Sequence, residues 1–262
     1  VGVRFRRGGQ SYDIKVNGYI AAPGGQNILD RCYKFSEANF CNLITFAADA
    51  SGNPKGVLTE IRNVNVNLQW LRTRGLDLEA DYRLPLNLVS GGLGGDLNLR
   101  LLGTRTFEST TNLFGTVTDQ VGTTGSGAGI ADWLFNAYLT YSNGPLSATL
   151  SMRYIPAGKF GATNIGPDDP LYSTIDVTKQ QTINGVVYSP INDNTVASAT
   201  YWNFNASYNL RQEGSTKLQV FAQVNNLLGA VPPMAPSSQY PTNPVYFDQI
   251  GRYYRLGLRF EM

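Results

Sequence analysis

The chain has 262 residues, a formal net charge of +2 and only 15% charged residues, so it lacks the clustered Lys and Arg that a nucleic-acid partner demands. Its 28 Gly, 15 Tyr and 12 Phe lean away from helix and toward β structure. No run approaches the roughly 18 apolar residues of a transmembrane helix, which leaves a barrel as the route into a bilayer. The mean hydropathy of −0.20 agrees with a barrel, since half of every strand faces a polar lumen.

In chain order, Val1-Gly2-Val3-Arg4-Phe5 carries no initiator Met, basic n-region or apolar h-region, which reads as a mature or truncated product. Residues 1–6 and 12–20 form weak strands, with Gly8-Gly9 marking a turn over 7–11. A long connection, 21–71, follows. Within it, Ser51-Gly52-Asn53 suits a hairpin joining 43–48 to 57–63.

Cys32 and Cys41 enclose a stretch rich in Asn and aromatics within the same connection. Two Cys and no His exclude a Cys/His zinc site and any Ser-His or Cys-His nucleophile pair. A disulfide is expected, with two reduced thiols as the alternative. It implies an oxidising compartment such as the periplasm or cell surface.

The clearest strand is 75–84, where Leu76, Leu78, Ala80, Tyr82 and Leu84 alternate with Asp77, Glu79, Asp81 and Arg83. The same period governs 96–107, 133–142, 146–155, 201–210, 217–226 and 252–262, which makes about nine spans. Most meet the roughly nine to eleven residues of a tilted transmembrane strand, longer than soluble strands usually run. Tyr82, Trp133, Tyr141, Tyr154, Trp202 and Tyr208 fall near strand ends, where a girdle would lie.

The connections alternate in size. Residues 85–95, 143–145 and 211–216 are turn-like, as is 7–11, whereas 21–71, 108–131, 156–198 and 228–249 are long. Such sorting fits an antiparallel up-and-down transmembrane β-barrel, short turns at the periplasmic rim and long loops outside. Met262 then ends in the periplasm. Thr182-Ile183-Asn184-Gly185-Val186-Val187 reads as a type I′ hairpin. The Gly/Ser/Thr stretch 122–129 reads as a mobile loop tip rather than a phosphate cradle.

Asp77, Glu79, Asp81, Arg83 and Arg100 are candidate lumen-facing groups, against simple solvation of the lumen. Placing Leu84 near Leu97 sets Asp81 opposite Arg100. Arg72, Arg74 and Arg105 share the lipid-facing parity near the outer rim and are candidate lipopolysaccharide contacts, against ordinary rim solvation. Asp168, Asp169 and Asp176 offer hard oxygen ligands for Ca²⁺, but without an organised motif Asp168-Asp169-Pro170 reads as a turn. No metal site, cofactor or catalytic residue is expected.

Several segments resemble TonB-dependent receptors of the outer membrane. Thr73-Arg74-Gly75-Leu76-Asp77-Leu78-Glu79 is similar to that family's "TRG" strand, and Phe221 to Leu228 with Pro232-Pro233 to its Asn-Leu strand before a Pro-bearing loop. The ending Tyr253 to Met262 resembles the C-terminal signal read by the barrel-assembly machinery, filled by Arg255, Gly257, Phe260 and Met262. Met262 departs from the usual terminal Phe. The Cys32…Cys41 pair after a "YDIKV" strand is also similar to many members.

The resemblance implies a 22-stranded barrel with an N-terminal plug that couples to the TonB complex, and uptake of a scarce siderophore, cobalamin or oligosaccharide. No plug is found in this sequence. About nine spans amount to less than half of such a barrel, and an odd count cannot close as bacterial barrels do, so residues 1–262 read as its C-terminal part. A soluble or surface β-sandwich that binds glycans is the alternative, burying the apolar face between two sheets. A barrel lipase or protease ranks third, since its commonest base, His, is lacking.

Overall fold

The computed structural model describes residues 3–48, 54–67, 70–113, 115–183, 186–213, 216–236 and 240–261. Eight long strands make up the main sheet: β1 (Arg4–Asn17), β2 (Trp70–Pro85), β3 (Asp96–Leu113), β4 (Trp133–Asn143), β5 (Leu146–Ile155), β6 (Ala199–Glu213), β7 (Thr216–Asn225) and β8 (Tyr253–Glu261). They pair in chain order, and a short strand, Thr116–Asp119, also pairs with β3. No helix of the described residues is long and apolar enough to cross a membrane.

Alternation in the sequence sets the pairing. Across β5 and β6, Ser147, Thr149 and Ser151 meet Ser207, Asn205 and Asn203, while Ala148, Leu150 and Met152 meet Ala206, Phe204 and Trp202. Across β7 and β8, Val220, Ala222 and Val224 meet Leu258, Leu256 and Tyr254. A slip of one residue would bring polar against apolar throughout, so the register is strongly specified. The apolar face is open rather than covered: Leu256 is 80% exposed, Leu258 70% and Tyr254 69%. A sandwich would hide those side chains behind a second sheet.

Two glycines exist for their neighbours. Tyr12 of β1 lies over Gly75 of β2, with its hydroxyl where a Cβ would stand. Phe221 of β7 covers Gly257 of β8, its Cζ 2.6 Å from the place of a Cβ. In both cases an aromatic ring fills the gap left by a strand glycine.

Three expectations need correction. Gly8-Gly9 is no turn: neither residue takes a positive φ, and β1 runs straight through 7–11. That merges two spans into one, giving, among the described residues, eight strands on the main path with a ninth, short one beside it. The connection 21–71 contains two helices that periodicity missed, α1 (Gly25–Tyr33) and α2 (Ala38–Cys41). Finally, 122–129 is packed rather than a loop tip, with Thr123 and Thr124 buried.

The chain divides into two compact units, Val1–Ile14 with Thr73–Thr110 and Thr118–Met262, and Lys15–Arg72 with Thr111–Val117. In the smaller, α1 and α2 are joined by the Cys32–Cys41 disulfide. Ile28 is fully buried, Arg31 pairs with Glu37 at 2.8 Å, and its guanidinium lies over Phe35. Ile44–Ala48 pairs with Pro54–Ile61 as the expected hairpin, and Gln181–Ile183 of the larger unit pairs with Val186–Pro190. The turn residues Ser51-Gly52-Asn53 and Asn184-Gly185 lie outside the described residues, as does Met262.

Candidate functional site

On the polar face, β2 and β3 carry a ladder of charge. The Leu86 N–H donates to the Gly95 carbonyl, and Thr104 Oγ1 donates to Asp77. Both ties fit the alignment that sets Leu84 beside Leu97 and Asp81 beside Arg100. The charged groups nevertheless bond on the diagonal. Arg100 grips one Glu79 oxygen with Nη2 at 2.8 Å and Nε at 2.9 Å, Asn98 donates to both Asp81 oxygens, and Arg83 pairs with Asp96 at 2.8 Å. Sheet twist brings diagonal neighbours within reach of long side chains. The five candidate lumen-facing residues thus share one bonded strip.

The three arginines expected at the outer rim all have partners within the protein. Arg74 pairs with Glu108 at 3.1 Å. Arg105 pairs with Asp132 at 2.6 Å and lies over the Trp133 ring. Arg72 belongs to the smaller unit and is itself engaged. A lipid phosphate at Arg74 or Arg105 must compete with a carboxylate already in place.

At one end of the sheet, three connections knit together on the polar side. Residues 120–132, 156–198 and 226–252 bury Ala131, Val196, Ala235, Tyr246 and Phe247 against Ile155, Ala199 and Tyr201. Tyr246 ties two of them, since its hydroxyl donates to the Gly129 carbonyl at 3.0 Å and accepts from the Ala131 N–H at 2.9 Å. Asn243 Nδ2 donates to the carbonyls of Thr124 and Ser126. Asn194 bridges Gly161 and Asn164. Gly125 is required here, because a Cβ would stand 2.6 Å from Phe160 Cα.

Asn226 launches the last of these connections in the left-handed region, at φ 49°. Its amide bonds Ala230 twice, at 2.7 and 2.8 Å, and its N–H donates to Asn203 Oδ1. The returning segment Pro244–Ile250 then folds back over the polar face. Arg153 Nη2 reaches the Val245 carbonyl, and the Asp248 N–H donates to the Tyr201 hydroxyl. Between floor and roof lies a cavity of about 450 Å³, edged by Arg153, Asn203, Asn225, Asp248, Gln249 and Tyr253. None of these six was a candidate binding residue in the sequence, although Asn225 and Tyr253 fall within the family-like motifs. The Asn225-Asn226 pair closing an alternating strand was the one available signal.

The acidic residues of 156–198 cap local turns. Asp176 accepts from the Thr178 N–H and hydroxyl and pairs with Lys179, which hold its carboxyl well below the usual range. Asp193 is lowered in the same way by Thr195. Asp169 accepts from the Leu171 N–H. Among the described residues no cluster of three or more potential metal ligands forms.

No curated protein and no solved structure matches this chain. A family model described as TonB dependent receptor-like, beta-barrel, matches residues 11–227. That span runs from β1 past the end of β7, takes in the charged ladder and the floor of the cavity, and shows that the chain belongs to the TonB-dependent receptor β-barrel family.

Proposed function

We propose that this chain supplies the solute-handling wall of an outer-membrane receptor that takes up a scarce ligand by TonB-dependent active transport. The family is one of transporters rather than enzymes, and its place is the outer membrane. The observation that carries the reading is the two-sidedness of the sheet. One face exposes Leu256, Leu258 and Tyr254 as if to lipid, and the other bears the ladder and the roofed cavity.

In this reading the polar face lines the lumen, Met262 is periplasmic, and the knitted connections and the Cys32–Cys41 unit are extracellular. A plug elsewhere in the receptor engages the TonB complex. Arg255, Gly257, Phe260 and Met262 address the barrel-assembly machinery, and lipopolysaccharide surrounds the outer rim. The solute is a siderophore, cobalamin or oligosaccharide.

Deleting the gene in its host and measuring solute accumulation, with and without a protonophore, tests the proposal. Uptake should vanish on deletion and on de-energising the inner membrane. Uptake that persists unchanged under the protonophore would sink it.

A further inference from the structure

We infer that the cavity beneath Pro244–Ile250 is a subsite for a neutral, polyhydroxylated ligand, the chemistry of an oligosaccharide. The inference rests on the uptake reading and names the solute class within it. Charge comes first. Among the described residues that line the space, Arg153 is the one cation and Asp248 the one anion. An anionic chelate would shed water to meet one lining guanidinium already turned toward the Val245 carbonyl, with the next, Arg255, engaged over the Tyr253 ring at the edge, and would face the Asp248 carboxylate, which Asn226 and Ile250 hold in place. A neutral solute avoids both costs.

Carboxamides supply what hydroxyls need, since an amide offers donors at one end and an acceptor at the other. Asn203 and Asn225 flank the paired Phe204 and Val224 at the cavity end of β6 and β7, and Gln249 descends from the roof. Each amide is oriented by one internal bond. Asn203 Oδ1 accepts from Asn226 N–H at 2.9 Å, Asn225 Oδ1 accepts from Gln223 Nε2 at 3.1 Å, and Gln249 Nε2 donates to the Thr242 carbonyl at 3.1 Å.

The opposite ends complete the recognition. Asn225 Nδ2 meets no acceptor and is occluded beside the space, so it is a buried donor that the protein leaves unpaired and that only a small turn of its amide would present to an entering hydroxyl. Tyr253 adds ring surface at the edge, with the Arg255 guanidinium 5.3 Å from its centroid. A few placed polar groups beside aromatic surface is the usual composition of a small-ligand site.

The test uses the full receptor in a detergent without a sugar headgroup, probed with an array of neutral oligosaccharides and, separately, with ferric citrate. At least one neutral glycan should bind and ferric citrate should not. For that glycan, Asn203→Ala and Gln249→Ala should each raise Kd at least tenfold while heat-modifiable mobility stays that of the folded barrel. A silent array, binding of ferric citrate, or a glycan Kd unmoved by both substitutions overturns the inference. Protonophore-sensitive uptake of ferric citrate would overturn it yet keep the transport reading. Glycan binding with the expected losses but without energised uptake would do the reverse.

Discussion

Arg100 holds Glu79 and not Asp81, although the Leu86–Gly95 backbone bond that closes the turn between β2 and β3 fits an alignment with Asp81 beside it and Glu79 on the diagonal. Short and long side chains should therefore report different partners. Cysteines introduced as Asp81→Cys and Arg100→Cys should oxidise to a disulfide more readily than Glu79→Cys with Arg100→Cys, because a disulfide reads Cβ separation. A double-mutant cycle should rank the pairs the other way, with roughly 0.2–1 kcal/mol of coupling for Glu79 and Arg100 and less for Asp81 and Arg100. Preferential crosslinking of 79 to 100 would refute the alignment.

Gly75→Ala drives a methyl into the Tyr12 ring. The expected loss is about 1–3 kcal/mol, the usual cost of overpacking. Tyr12→Ala in the same chain should recover part of it, measured as the urea midpoint of the folded barrel. Equal loss with and without Tyr12→Ala would show that the ring is not the cause.

Tyr246→Phe removes one hydroxyl and strands two buried backbone groups, the Gly129 carbonyl and the Ala131 N–H. Each unpaired group costs about 1–3 kcal/mol. Hydrogen exchange should rise at 129–131 while β4 and β5 stay protected. Uniform loosening of the strands would mean that the roof and the wall unfold as one.

Asp176 and Asp193 are exposed, so their effect is local and small. Both carboxyls are lowered, so the turns they cap are fully supported above the ordinary carboxylate value of about 3.9 and lose support as pH falls below it. The Thr178 and Thr195 amide resonances should hold their positions from neutral pH into that range and move only in stronger acid. In Asp176→Asn the Thr178 movement should disappear.

Reduction of Cys32–Cys41, or Cys32→Ser, should destabilise the smaller unit by about 2–4 kcal/mol. Limited proteolysis should then cut within 21–71 first. Cuts appearing first in the strands of the main sheet would contradict the division of the chain into two units.

The period-two alternation determined the strands, because each face of a barrel wall meets one kind of surroundings and the residues must sort accordingly. From 75–84 to 252–262 that pattern located the spans, although β3 runs on to Leu113 and the short strand Thr116–Asp119 pairs with it inside the connection expected over 108–131, and the family-like motifs at Thr73–Glu79 and Tyr253–Met262 named the architecture. Local signals failed where a residue answers to a distant one. Gly8-Gly9 resembles a turn, yet β1 continues through it in pairing with β2. The stretch 122–129 resembles a loop tip, yet Asn243, 119 residues away, bonds the Thr124 carbonyl.

Which carboxylate takes Arg100 was decided by twist and side-chain reach, and neither can be read from the spacing of charges. The roof and its cavity depend on Tyr246 meeting Gly129 across 117 residues and on Asn226 turning the chain back over β6. Alternation specifies a strand from its own residues. A binding space between connections exists only once those connections have packed.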